Sequence, residues 1–66
     1  MKAKAAYWAV QFKSRYGFTL WDVCRALDEN GAVNTAEEWD GVTEVNDVFG
    51  PFKTVTAAEQ FMRDNP

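Results

Sequence analysis

The sequence predicts a single α+β domain in which a three-stranded antiparallel sheet carries two helices packed on one face, in the order β-α-β-β-α. Three observations support this prediction. Residues 6–13 alternate like a strand, two later segments carry apolar stripes with the period of a helix, and an Asp-Gly pair separates two further strand-like segments. The 66 residues suit one domain, residues 1–66, and the 15 % aromatic content provides a core without disulfides or metal.

The first strand is predicted over residues 6–13. Trp8, Val10 and Phe12 share one face of this strand, and we assign Trp8 and Phe12 to the core. The following Ser-Arg-Tyr-Gly segment, residues 14–17, interrupts the alternation and predicts a turn.

The first helix is predicted over residues 20–30. Thr19 is the expected N-cap, and Asp22 faces the positive end of the helix dipole three residues later. Gly31 is the expected C-terminal stop. The apolar stripe has the spacing i, i+3, i+4, i+7 and consists of Leu20, Val23, Cys24 and Leu27.

Residues 32–39 and 42–49 are predicted to form a hairpin, because Asp40-Gly41 suits a type I′ turn. The second arm alternates well, whereas the first, with Ala-Glu-Glu at 36–38, also suits a helical turn or a bulge.

After a turn at residues 50–52, the last helix begins at Thr54 or Thr56, and Thr56 with Glu59 would form a capping box. The segment 64–66 ends this helix. Its apolar stripe consists of Ala57, Ala58, Phe61 and Met62.

The composition argues against an enzyme. The chain has no His and one Cys, so neither a His-activated nucleophile nor a His or Cys metal set can be assembled. We therefore expect no catalytic residues, no metal and no cofactor. Cys24 lies on an apolar stripe and is expected to be a buried, inert thiol. No segment approaches the roughly 20 apolar residues of a membrane span, and a free thiol suits the cytoplasm, where we place the protein.

The charge distribution is the most informative feature. The net charge is −3, but residues 1–27 carry five basic groups, including Lys2, and one acid, whereas residues 28–47 carry seven acids and no basic residue. We predict a partner-binding surface formed by these acids together with Trp39, the aromatic residue expected to be most exposed. Its residues are Asp28, Glu29, Glu37, Glu38, Trp39, Asp40, Glu44 and Asp47. Such a run is also typical of a solvated hairpin that keeps a small protein soluble.

Trp21 and Tyr16 likewise have two interpretations, of which a place in the core is the more usual in a small domain. Large aromatic side chains with one polar atom are frequent at binding hot spots, but in a small domain they also belong to the core. The basic N-terminal third lacks aromatic interleaving, so we expect no direct contact with DNA or RNA.

Two resemblances follow from the residues. Val10-Gln11-Phe12, together with Phe49-Gly50-Pro51-Phe52-Lys53-Thr54 before a helix containing Ala58, resembles the SPOR domain, whose repeats show a Val-Gln strand and a Val-Gly-Pro-Phe strand. That resemblance implies a peptidoglycan-binding or scaffold module.

The second resemblance is one of general type. A compact, acidic, aromatic-rich chain without His resembles the small phage proteins that block host machinery, including anti-CRISPR proteins, several of which mimic nucleic acid. This implies a monomeric inhibitor in the host cytoplasm, whose acidic patch occupies the basic DNA-binding surface of a defence or transcription complex. The SPOR-like module is the alternative.

Overall fold

The computed structural model describes residues 4–65; Lys2 and Pro66, which entered the charge count and the predicted helix end, lie outside this range. The elements, in chain order, are β1 (Ala6–Ser14), β2 (Thr19–Ala26), α1 (Glu29–Glu37), β3 (Val42–Phe52) and α2 (Val55–Asp64). The strands form one antiparallel sheet in the order β2-β1-β3. The predicted α+β class, with a three-stranded antiparallel sheet and two helices, is confirmed. The predicted order is wrong, because the structure is β-β-α-β-α.

The first two strands form a hairpin. The predicted first strand is confirmed as β1, and the turn after Ser14 uses Gly17 at a φ of 87°. β2 then pairs with β1 continuously, from Thr19 opposite Lys13 to Ala26 opposite Ala6. The predicted first helix is therefore wrong, since most of its residues form this strand.

The spacing that suggested a helix arises because β2 carries apolar residues on both of its faces. Cys24 is buried with Trp8 on one face of the sheet. Trp21 lies on the other face, with its ring centroid 6.1 Å from that of Phe61 in α2. A strand that carries apolar residues on both faces loses the alternation of apolar and polar residues, so helical spacing can appear by coincidence.

The first helix lies later in the chain than predicted. Asp28 is its N-cap, and the Asp28 carboxylate accepts a 2.7 Å hydrogen bond from the Gly31 amide. Gly31 is thus inside the first turn of α1 and does not stop a helix. The predicted hairpin is also wrong, because α1 ends at Glu37 and only Gly41 of the Asp40-Gly41 pair has positive φ.

β3 departs from simple alternation. Its register against β1 shifts at three places, between Tyr7 and Ala9, Gln11 and Phe12, and Lys13 and Ser14. The shifts let residues three apart pack against the same core, namely Val42, Val45 and Val48. Gly50 and Pro51 lie within β3 and not in the predicted turn.

The two helices cover opposite faces of the sheet, so the prediction that both pack on one face is wrong. Ala32 and Ala36 of α1 are fully buried in a core with Trp8, Val10 and Phe12. α2 begins after Thr54, one of the two predicted capping residues, whose hydroxyl accepts from the Ala57 amide at 3.1 Å. On the other face its Phe61 packs among the aromatic rings of Trp21, Phe49 and Phe52.

Candidate interaction surface

Seven exposed carboxylates lie on α1, on the residues that flank it and on β3; we call these carboxylates together the acidic side. α1 packs over one face of the sheet, whereas Glu44 and Asp47 lie opposite Lys13 and Gln11 of β1, on the face that α2 covers. The carboxylates belong to Asp28, Glu29, Glu37, Glu38, Asp40, Glu44 and Asp47. The structure thus places the predicted acids on α1, on its flanking residues and on β3, and not on a hairpin.

The acidic side consists of three groups. Asp28 and Glu29 lie at the N-terminal end of α1, and the second group, Glu37 to Asp40, lies at its C-terminal end. Nine helical residues rise about 13 Å, which separates these two groups. The third group, Glu44 and Asp47, lies on the edge strand β3, where these residues pair with Lys13 and Gln11 of β1.

The helix dipole stabilises acidic side chains at the N-terminal end of α1 and destabilises them at its C-terminal end. Asp28 and Glu29 are stabilised at the positive N-terminal end. Glu37 and Glu38 lie at the negative C-terminal end, and the last turn of α1 contains no basic residue to offset them. Their charges therefore oppose the stability of the helix, at a cost of about 0.3–1 kcal/mol each.

Most carboxylates of the acidic side are not engaged within the domain. Asp28 serves as the N-cap, and Asp40 accepts a 2.9 Å hydrogen bond from the Arg15 guanidinium in an ion pair exposed to solvent. Within residues 4–65, the other five make no side-chain hydrogen bond or ion pair; they are Glu29, Glu37, Glu38, Glu44 and Asp47. These five are free to contact a partner.

Trp39 is not the exposed anchor that the sequence suggested. It is half-buried and packs against the core, with its ring edge-on to Phe12 at a centroid distance of 5.9 Å. Tyr16 is 78 % exposed and Phe18 is 66 % exposed, so these are the aromatic side chains that solvent reaches most. Trp21 is half-buried, packed under α2.

A second surface, which the sequence did not indicate, lies along β2, the turn before it and the residue after it. Its exposed apolar side chains are Tyr16, Phe18, Leu20 and Leu27. Leu20 and Leu27 were assigned to the apolar stripe of a helix and so were expected to be covered. The signal that would have revealed them is the short turn after β1, which brings the following residues back as an edge strand.

Cys24 is buried, as predicted, and lies beside the Ala32 carbonyl at 3.8 Å. Burial raises the pKa of its thiol above the usual value, and the nearby Asp22 carboxylate adds to the effect. A neutral, covered thiol is a poor nucleophile. No three His, Cys, Asp or Glu side chains within residues 4–65 come together as a metal site.

A shallow groove of ≈ 520 Å³ runs between the start of the described chain, residues 4–6, and the end of β3 with the residue that follows it, 51–53. Its lining is mostly apolar and includes the lysines at positions 4 and 53.

Comparisons with protein families, with curated proteins and with solved structures find no match for this chain. Among the described residues, neither helix has the length and apolar character needed to cross a bilayer. The geometry defines a small α+β domain with an acidic side and an apolar strand edge.

Proposed function

We propose that this protein is a stoichiometric inhibitor of a nucleic-acid-handling complex, with the acidic side as its contact surface. Its partner is a protein with a basic DNA-binding surface in a host defence or transcription complex. In this role the chain resembles anti-CRISPR proteins that mimic nucleic acid, and it acts as a binding protein in the host cytoplasm and not as an enzyme.

The placement of Glu37 and Glu38 supports this proposal most. Both carboxylates lie where the helix dipole disfavours negative charge, and neither is paired within the described residues. Lysine or arginine at these positions would stabilise α1. Two carboxylates that lower the stability of a small domain are better explained by a contact with a basic partner than by solubility alone.

The chemistry of that contact follows from the partner's normal ligand. Lysine and arginine side chains that hold phosphates can bind carboxylates in the same positions. The unpaired acids then attract the partner at long range and accelerate association, and the attraction weakens as salt screens it. We expect binding to fall steeply with ionic strength and to compete with DNA.

The test begins with capture of the partner from host lysate, followed by affinity measurements with the purified partner. The double variant Glu37→Lys, Glu38→Lys should reduce the affinity at least about 100-fold, because two attractive contacts become repulsive. The matched control is Glu59→Lys, Asp64→Lys on α2, which changes the net charge equally but at exposed positions on the other face of the sheet. Equal losses in both variants, or no loss in the first, would contradict the proposal.

A peptidoglycan-binding module of the SPOR type is the second candidate. The first motif behind that resemblance lies on β1, and the second begins on the neighbouring strand β3 and ends at the N-cap of α2. Pro51, Phe52 and Lys53 line the groove. Retention on purified peptidoglycan that is lost in Lys53→Glu and kept in Glu37→Lys, Glu38→Lys would favour this function over inhibition.

A further inference from the structure

Within residues 4–65 the outer strands β2 and β3 each leave one edge of the sheet unpaired, and the two edges differ in regularity. The outer strand β3 has three register shifts, and Pro51 has no N–H to donate, so this edge is poorly suited to bind another strand. The outer strand β2 pairs with β1 over eight consecutive residues without a shift and contains no proline. A regular edge of this kind binds other strands unless something blocks it.

The turn after β1 shows which backbone groups of β2 reach the free edge. The Ser14 amide donates to the Phe18 carbonyl at 2.8 Å, which makes these two residues a hydrogen-bonded pair. Hydrogen-bonded and non-bonded pairs alternate along an antiparallel ladder. The N–H and C=O groups that point outward are therefore those of Thr19, Trp21, Val23 and Arg25.

One of these outward groups is covered by a side chain. The Asp22 carboxylate accepts a 2.7 Å hydrogen bond from the Val23 amide, and this bond is exposed to solvent. Any strand that pairs at the centre of β2 must displace the carboxylate. Beside the edge, Leu20 is 46 % exposed, and Phe18 and Leu27 at the two ends of the strand are more exposed still.

We propose that the β2 edge is a self-association site, where β2 of a second copy pairs antiparallel about Val23 and the Asp22 carboxylate must first release the Val23 amide. The result is a continuous six-stranded sheet with a two-fold axis perpendicular to it. This proposal is independent of the proposed function and replaces the expectation of a monomer.

The pairing centred on Val23 follows from the side chains that it brings together. Trp21 then lies opposite Arg25 of the second copy, which permits a cation–π contact, and Leu20 lies opposite Ala26 of the second copy. Centring the pair on Asp22 would instead place two carboxylates directly opposite each other, which is unfavourable.

Charge favours a second copy as the occupant of this edge. β2 carries one acid and one base, Asp22 and Arg25, so it has no net charge of its own. Most of the carboxylates of the acidic side lie on β3, at the opposite edge, and on the segment that leads into it. Pairing through β2 therefore keeps most of the like charges of the two copies apart, where salt screens them.

The contact is short, so the dimer should be weak. Sedimentation of the full chain from about 10 µM to about 1 mM should show a concentration-dependent dimer. Asp22→Ala should lower the dissociation constant at least about tenfold, because dimer formation then no longer requires breaking two hydrogen bonds between the Asp22 carboxylate and the Val23 amide, one in each copy. Leu20→Lys should raise it by a similar factor. The matched control, Val55→Lys on α2, replaces a side chain of similar exposure, 42 %, and should leave it unchanged.

Amide hydrogen exchange on the same samples locates the contact. Protection of the Trp21 and Val23 amides should rise with protein concentration, whereas the Asp22 amide, which points toward β1, should be protected throughout. A protein that stays monomeric at about 1 mM as wild type and as Asp22→Ala would overturn the proposal, as would association that leaves the Trp21 and Val23 amides unchanged. Circular dichroism of each variant verifies the fold. Glu37→Lys, Glu38→Lys should keep the dimer, which separates this site from the acidic side.

Discussion

Replacing Phe61 by alanine tests the packing of α2 on its own face of the sheet. The Phe61 ring centroid lies 4.9 Å from that of Phe49, 5.5 Å from that of Phe52 and 6.1 Å from that of Trp21. Half-burial of a phenylalanine contributes about 1.5 kcal/mol, and three aromatic contacts add about 0.5 kcal/mol each. We therefore expect a loss of about 3 kcal/mol in the free energy of unfolding, or about 12–24 °C in Tm for a domain of this size.

Urea unfolding followed by far-UV circular dichroism measures this loss, and Phe18→Ala is the matched control. Phe18 is 66 % exposed, so its replacement should change the free energy of unfolding by no more than about 0.5 kcal/mol. The NMR signal of the Trp21 indole should shift in Phe61→Ala, whereas that of Trp39, which packs on Phe12 on the other face, should not. Equal losses in the two variants, or a shift of the Trp39 signal instead, would refute this packing.

Two further predictions concern two glycines with positive φ and the buried thiol. Gly50→Ala should lower the free energy of unfolding by about 2–4 kcal/mol in urea titrations, because the new Cβ would lie 2.9 Å from Trp8 Cε3 at a φ of +153°. Gly17→Ala should lower the free energy of unfolding by less, about 1–2 kcal/mol, because the φ of Gly17 is +87° but no atom lies within 4 Å of the new Cβ. A larger loss for Gly17→Ala than for Gly50→Ala would contradict this comparison. The Cys24 thiol, whose pKa is raised by burial, should react slowly with thiol reagents at pH 8 unless urea is present. The buried, protonated Cys24 thiol contributes its full stabilisation below the pKa of the thiol in the unfolded chain. This contribution is lost as pH rises through the higher pKa of the thiol in the folded protein. Cys24→Ala should therefore reduce the alkaline loss of stability, and an unchanged pH profile would argue against this assignment.

The elements predicted correctly are those with strong local signals. β1 is the central strand, and its core residues Trp8, Val10 and Phe12 alternate with residues of the face that α2 covers. α2 has an N-cap at Thr54 and an apolar face centred on Ala58 and Phe61. In both cases the signal depends on residues that are close together in the sequence, so it can be recognised without knowing the tertiary structure.

The elements predicted wrongly depend on contacts that are distant in the chain. β2 carries apolar residues on both faces, with Cys24 in the core that α1 covers and Trp21 against Phe61 of α2, so its alternation is lost. α1 buries only the small side chains Ala32 and Ala36, which give no conspicuous apolar stripe. The irregular spacing of the core-facing residues of β3 follows from the register shifts in its pairing with β1, which the sequence does not show. The acids of the candidate site are exposed, but their division between the two faces of the sheet depends on α1 being a helix and on the register of β3.

The helical conformation of residues 29–37 also makes the functional test sharper. On a hairpin, reversing Glu37 and Glu38 would have no strong effect on stability in either direction. At the C-terminal end of α1, lysine interacts favourably with the helix dipole, so Glu37→Lys, Glu38→Lys should raise the free energy of unfolding by about 1 kcal/mol. If the acidic side binds a basic partner, the same variant becomes more stable and binds more weakly. Opposite signs in urea unfolding and in affinity cannot arise from loss of fold, so they attribute the lost binding to the carboxylates themselves.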